Sequence, residues 1–274
     1  MGREMTEPDG NPGARDVSLW GPLEIGPGEE RELAVGELRL RLRRTPAELL
    51  VAHQHVATSE AEESVVPGSD LPWQRFLVGP GELFILPALP DRSVVVQTDN
   101  PFWLPVGGKA DLFVHVPVWV QVRLRAERES ILLDLPSVVL SQTWFGSFTE
   151  GELCYWIRSG AHSEAAADPS KPHLVVCPVE IRNESEDKLL VDYFCLRVRA
   201  LSLYYDGSQL WSDVFSLSFR GDKYETRQWP TGRRPRSARK ARWVNGPREA
   251  MRRSALGKTF SWGGDLPGIG IRII

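Results

Sequence analysis

A chain of 274 residues with 42% hydrophobic and 25% charged side chains can bury a sizeable core, so it needs no disulfide or metal to fold. Its 24 glycines and 21 prolines divide it into short segments, which excludes long helices and favours many short strands. The net charge of −3 conceals an asymmetry, because residues 220–258 carry +10 and the remainder carries −13. The composition therefore predicts an acidic β body with a basic carboxyl-terminal arm.

A first β domain is predicted over residues 17–143, after a disordered lead over residues 1–16. The clearest strand is Val118–Ala126, where alternation places Val120 on the apolar face and Gln121 on the polar one. Similar patterns predict the other strands of this domain, at Leu38–Leu42, Leu49–Val56, Arg75–Val78, Glu82–Leu86, Ser93–Thr98, Ala110–Val116, Ile131–Leu135 and Val138–Ser141.

A second β domain is predicted over residues 144–229. Its turn at Asp206-Gly207 predicts a hairpin, because glycine adopts positive φ at no steric cost. We expect residues 174–219 to form one antiparallel sheet that buries Val198, Phe215 and Leu217 and turns Ser216 and Ser218 outward. The predicted strands are Cys154–Arg158, Leu174–Ile181, Leu189–Tyr205 with a break, Leu210–Phe219 and Tyr224–Trp229.

Residues 230–274 are predicted to form a basic linker, a helix and a tail. Pro247 at a first-turn position and Gly257 near the end indicate a helix over Pro247–Lys258. We therefore expect an all-β protein of two antiparallel, sandwich-like domains with a short helical basic appendage.

The cysteines and the amino terminus indicate the compartment. Cys154, Cys177 and Cys195 are odd in number and lie in apolar strand-like runs, so we expect them to be reduced and buried. Residues 1–15 lack the apolar core of a secretory signal, and no apolar run approaches the length of about 20 residues that spans a membrane. A cytoplasmic protein is the resulting expectation.

His53 and His55 are the candidate metal ligands, together with Glu60. Their two-residue spacing on a predicted strand places both imidazoles on one face. This spacing resembles the first half of the cupin metal motif, which implies a metal-dependent enzyme or a small-ligand binder. The likeness fails at Ala47, where cupins have glycine, and at Asp91, where they have histidine. We favour an ordinary strand face, with no cofactor, and keep the metal site as the alternative.

The basic arm offers the candidate partner-binding surface. It combines cations that pair with phosphate or carboxylate groups and an indole ring that stacks. The first expectation is that the arm binds the acidic body, either that of its own chain or that of a second copy. The next expectations are an acidic protein, nucleic acid or an anionic membrane surface. The candidate residues are Arg233, Arg234, Arg236, Arg239, Lys240, Arg242, Trp243, Arg248, Arg252 and Arg253.

Ten tryptophans are more than a core of this size requires. Some could form an aromatic contact surface, since tryptophan is enriched at interfaces. The alternative, which we favour, is that they cover the open ends of the two sandwiches.

Several short apolar and turn motifs in the second half of the sequence are similar to those of a prokaryotic family called domain of unknown function 432. They are Trp144-Phe145-Gly146, Gly151-Glu152-Leu153-Cys154-Tyr155-Trp156, Cys177-Pro178-Val179, Asn183, Leu201-Ser202-Leu203-Tyr204 and Leu210-Trp211-Ser212-Asp213. The likeness covers about Leu19–Trp229. It implies a prokaryotic cytoplasmic protein with no assigned activity and no known site residues. It further implies relatives beside small mechanosensitive channels, so peripheral contact with a membrane channel is another expected partnership.

No nucleophile elbow, phosphate-binding loop, Cys-x-x-Cys pair or dinucleotide fingerprint occurs in the sequence. The sequence therefore favours a non-enzymatic interaction or scaffold module over an enzyme. The opposing hypothesis is the cupin-like metal site on the two histidines.

Overall fold

The computed structural model describes residues 19–56, 71–146, 148–149, 151–157, 161–162, 168, 170–221 and 226–249. These residues form an almost entirely β structure, as the sequence predicts, and none of them is in an α-helix. Residues 247–249 are not helical, and the remainder of the predicted helix over residues 247–258 lies outside the described residues.

Ten strands precede residue 140. They are β1 (Gly21–Pro22), β2 (Glu30–Val35), β3 (Leu38–Arg44), β4 (Glu48–His55), β5 (Gln74–Leu77), β6 (Glu82–Ala88), β7 (Val94–Leu104), β8 (Lys109–Pro117), β9 (Trp119–Arg125) and β10 (Glu129–Pro136).

Nine strands and two short 3-10 turns follow. The strands are β11 (Ser141–Phe145), β12 (Glu152–Ile157), β13 (Leu174–Asn183), β14 (Leu189–Leu196), β15 (Leu203–Tyr205), β16 (Leu210–Ser212), β17 (Phe215–Phe219), β18 (Arg227–Pro230) and β19 (Arg242–Asn245). The 3-10 turns span Val198–Ala200 and Arg236–Ala238, and the first of them interrupts the predicted strand Leu189–Tyr205.

The strands form four sheets. Two are antiparallel and use only the first ten strands, in the orders β1-β6-β9-β10 and β2-β3-β4-β5. The third has the order β11-β12-β7-β14, and in the fourth β13 pairs with β8, β16 and β17. The third and fourth sheets therefore join strands from both sides of residue 143.

The fourth sheet is centred on β13 and is mixed, so the expectation of one antiparallel sheet over residues 174–219 is wrong. Antiparallel β8 occupies one edge of β13 along nearly its whole length. Strands β16 and β17 both run parallel to β13 and must share its other edge. Parallel neighbours require a crossover. The chain between β13 and β16 makes this crossover through β14, which pairs with β7 in the third sheet.

The hairpin at Asp206-Gly207 is confirmed over β15 and β16. Gly207 has a φ of 102°, and the Asp206 carboxylate accepts hydrogen bonds from the amides of Ser208 and Gln209. The returning segment is two strands instead of one, because residues 213 and 214 interrupt it before β17 begins.

Three polar side chains predicted to face outward are buried. Ser216 and Ser218 lie in β17, whose five residues are all buried between β13 and β18. Gln121 is buried on β9, where its Oε1 accepts from Asn245 Nδ2 at 3.4 Å. Alternation fails at these positions because other parts of the chain cover both faces of the strand.

The main core is one continuous cluster that takes side chains from all four sheets, including Val198, Phe215 and Leu217 as predicted. Successive residues of β7 point to opposite faces, so Val94 and Val96 join this core and Val95 does not. Val95 instead belongs to a smaller cluster with Phe145, Cys154 and Cys195.

Candidate functional site

The basic arm is part of the fold up to residue 249. Strand β18 pairs with β17, and β19 pairs with β15. Between them, Ala238 and Ala241 are buried against Val176 and Trp211 of the fourth sheet. Regular structure therefore continues past Pro230, contrary to the prediction of a linker there.

Every basic side chain of residues 233–242 is exposed. The same segment is held against the fourth sheet by its buried alanines, Ala238 and Ala241. Two of them contact the body: Arg233 lies 3.7 Å from Glu180, and Arg234 packs over the ring of Tyr204. The other four make no ion pair within the described residues. We call these four, with the adjoining indole ring that is 63% exposed, the basic surface: Arg236, Arg239, Lys240, Arg242 and Trp243.

Arg248 points inward instead of joining the basic surface. Its guanidinium donates to both carboxylate oxygens of Asp134, at 2.5 and 2.9 Å, and its Nε donates to the Leu89 carbonyl at 2.5 Å. Arg248 therefore fastens the arm to β10, and its predicted role as a partner contact stays a prediction. The predicted contacts Arg252 and Arg253 lie outside the described residues.

His53 and His55 lie together on β4, with His53 partly buried and His55 exposed. Desolvation, and secondarily the neighbouring His55, lowers the pKa of His53. The Nε2 of His55 lies 2.8 Å from the Pro136 carbonyl oxygen, which fits an N–H donor. Glu60, the third proposed ligand, lies outside the described residues.

Replacing His53 and His55 together with alanine should leave the metal content of the purified protein at the wild-type level. We expect only a small change in stability, because the lost hydrogen bond of His55 is at an exposed site. Elemental analysis and a thermal melt measure both quantities. A stoichiometric metal ion that disappears in the double variant would establish the cupin-like alternative.

A third candidate site is formed by side chains that are far apart in the sequence. Cys154 on β12, Cys195 on β14 and the carboxylate of Glu152 offer ligand atoms that all lie within 4.8 Å of one another. The two Sγ atoms are 4.0 Å apart, and Arg197 Nη2 lies 3.9 Å from Glu152 Oε1. All three cysteines are free and buried, as predicted.

The sequence identifies these cysteines only as core residues. The available signal was the alternation Glu152-x-Cys154 and Cys195-x-Arg197, which puts each pair on one face of its strand. The missing information was the sheet order, since β12 and β14 meet only through β7.

Comparisons with known proteins identify a family for this chain. The match to the family model described as "Protein of unknown function (DUF432)" covers residues 19–263 and so extends beyond Trp229 into the basic arm. Comparisons with curated proteins and with solved structures gave no match. None of the described residues belongs to a helix long and apolar enough to cross a membrane. Because the match spans most of its length, the chain belongs to the DUF432 family of proteins of unknown function.

Proposed function

We propose that this protein is a non-enzymatic interaction module that self-associates through its basic surface. The observation that carries the proposal is the fixed display of four cations and an exposed tryptophan by a segment whose alanines are buried. A segment whose backbone is already ordered loses little backbone freedom on binding, and tryptophan contributes strongly to interfaces.

The counterpart is present on the same chain. The turn between β13 and β14 exposes Glu184, Glu186 and Asp187, and none of them makes an ion pair within the described residues. The overall charge outside residues 220–258 is −13. Two copies can therefore bind with the basic surface of one facing the acidic turn of the other, and this attraction weakens as salt screens it.

The double variant R239E/K240E tests this function. We expect the full-length wild type to form oligomers at low salt that dissociate at high salt, and we expect the variant to be monomeric at both. Sedimentation velocity measures the change. The matched control is R128E/R227E, which changes the charge equally at two exposed arginines outside the basic surface and should leave the oligomers intact.

A charge exchange makes the test specific. The variant E184K/E186K should also be monomeric alone, and an equimolar mixture with R239E/K240E should form a complex again. A wild type that is monomeric at low salt would contradict self-association. Tight, salt-sensitive binding of nucleic acid that R239E/K240E abolishes would instead assign the basic surface to nucleic acid.

Deleting residues 230–274 is a poor test of the arm. The deletion removes β19 and the buried residues Ala238, Ala241 and Asn245, so it would disturb the sheet as well as the charge. Charge reversal leaves these contacts in place. A cytoplasmic location is part of the proposal, and three free thiols are consistent with it.

A further inference from the structure

We propose that Cys154, Cys195 and Glu152 form a binding site for one thiophilic divalent metal ion, of which Zn²⁺ is the representative. The site is separate from the basic surface and from the two histidines of β4. Two thiolates and a carboxylate are ligands that zinc accepts, and three protein ligands leave a fourth position open.

The third sheet brings the ligands together. Strands β12 and β14 pair with opposite edges of β7, and Cys195 is the register partner of Val95. Glu152 and Cys154 are two apart on β12, as are Cys195 and Arg197 on β14, so each pair shares a face. Both thiols project onto the face of β7 that carries Val95, away from the main core.

The distances suit a shared ion. Tetrahedral zinc with bonds of about 2.3 Å separates two sulfur ligands by about 3.8 Å. The thiols here are already 4.0 Å apart. The carboxylate oxygen must move inward by at most about 1.3 Å to complete three bonds of ordinary length. Its side chain is 37% exposed, so it has room for that movement.

A disulfide fits this arrangement less well than an ion. Adjacent strands are about 4.8 Å apart, so backbones separated by an intervening strand lie about 9.6 Å apart. A disulfide needs Cα atoms within about 7 Å, and β7 prevents that approach. A metal ion can bridge the two thiols at this backbone separation, because it places two metal–sulfur bonds of about 2.3 Å between the sulfur atoms.

Charge balance and proton release accompany binding. Two thiolates, one carboxylate and Zn²⁺ leave a charge of −1, which the guanidinium of Arg197 offsets at 3.9 Å from Glu152. Cysteine binds metal ions as thiolate, so binding must displace thiol protons and the apparent affinity should increase as the pH rises.

Titration of the full-length, reduced protein with Co²⁺ and then Zn²⁺ tests the site. We expect one Co²⁺ per chain, thiolate-to-cobalt charge-transfer absorption, and displacement of Co²⁺ by Zn²⁺. Cys154→Ser and Cys195→Ser should each abolish the absorption. Glu152→Gln should weaken binding at least tenfold and keeps both thiols, so its result does not depend on replacing a buried residue.

Cys177→Ser is the matched control. Cys177 is also fully buried, and burial raises the pKa of its thiol to about 12, yet it lies on β13 away from the other two. We expect this variant to bind metal as the wild type does. The proposal is overturned if the wild type shows no thiolate-to-cobalt absorption, if the cysteine variants keep it, if Glu152→Gln binds with wild-type affinity, or if mild oxidation joins Cys154 to Cys195.

Discussion

Replacing Leu217 with alanine should lower the free energy of unfolding by about 2 to 5 kcal/mol. Leu217 has no exposed surface and lies in β17, between β13 and β18. Truncation removes its transfer free energy and leaves a cavity that a mixed sheet with neighbours on both sides cannot readily close. Urea denaturation, with an unchanged slope against denaturant, measures the loss.

Leu77→Ala is the matched control for this experiment. The same side chain is 84% exposed on β5, so the same truncation should change stability by less than about 0.5 kcal/mol. An equal loss in both variants would mean that burial at β17 does not set the effect.

Replacing Arg248 with methionine should lower the free energy of unfolding by about 2 to 3 kcal/mol. The methionine keeps much of the side-chain volume and removes the guanidinium. Asp134, whose side chain is 28% exposed, then loses both hydrogen bonds from the guanidinium and keeps the one from Gln121 Nε2, and the Leu89 carbonyl loses the Arg248 donor. Arg248→Lys should recover only part of the loss, because an ammonium cannot make the two parallel bonds.

The ion pair between Arg31 and Glu29 provides the comparison. Both side chains are 54% exposed and their closest N–O distance is 3.8 Å. Arg31→Met should change stability by less than about 0.5 kcal/mol, since exposed pairs contribute little. A similarly small change for Arg248→Met would show that the arm is not fastened to β10 through this arginine.

Local patterns predicted the strands well and their partners poorly. The alternation in Leu38–Leu42 and the turn at Asp206-Gly207 are local signals, and both predict what the structure shows. The parallel pairing of β13 with β16 and β17 depends on β14 crossing to another sheet, which no local pattern encodes. Alternation predicts that polar residues such as Ser216 face solvent, because it cannot reveal a strand that is covered on both faces.

In the candidate sites, too, local features could be predicted from the sequence and tertiary partners could not. Charge and composition identified the arginines of residues 233–242, because exposed cations need no tertiary context to be recognised. They did not distinguish Arg248, whose sequence environment is equally basic but whose partner Asp134 is 114 residues away. The thiol pair required the order of three strands, so its members could be predicted as buried but not as neighbours.

The pairing of β8 with β13 constrains how the chain can be divided and when it can fold. A fragment that ends at residue 143 retains β7 and β8 but lacks their partners β12, β13 and β14. Unpaired edges of this kind associate with other chains, so such a fragment is prone to aggregate. During synthesis, the edges of β7 and β8 stay unpaired until β12, β13 and β14 have been made, and the fourth sheet is complete only once β19 has left the ribosome.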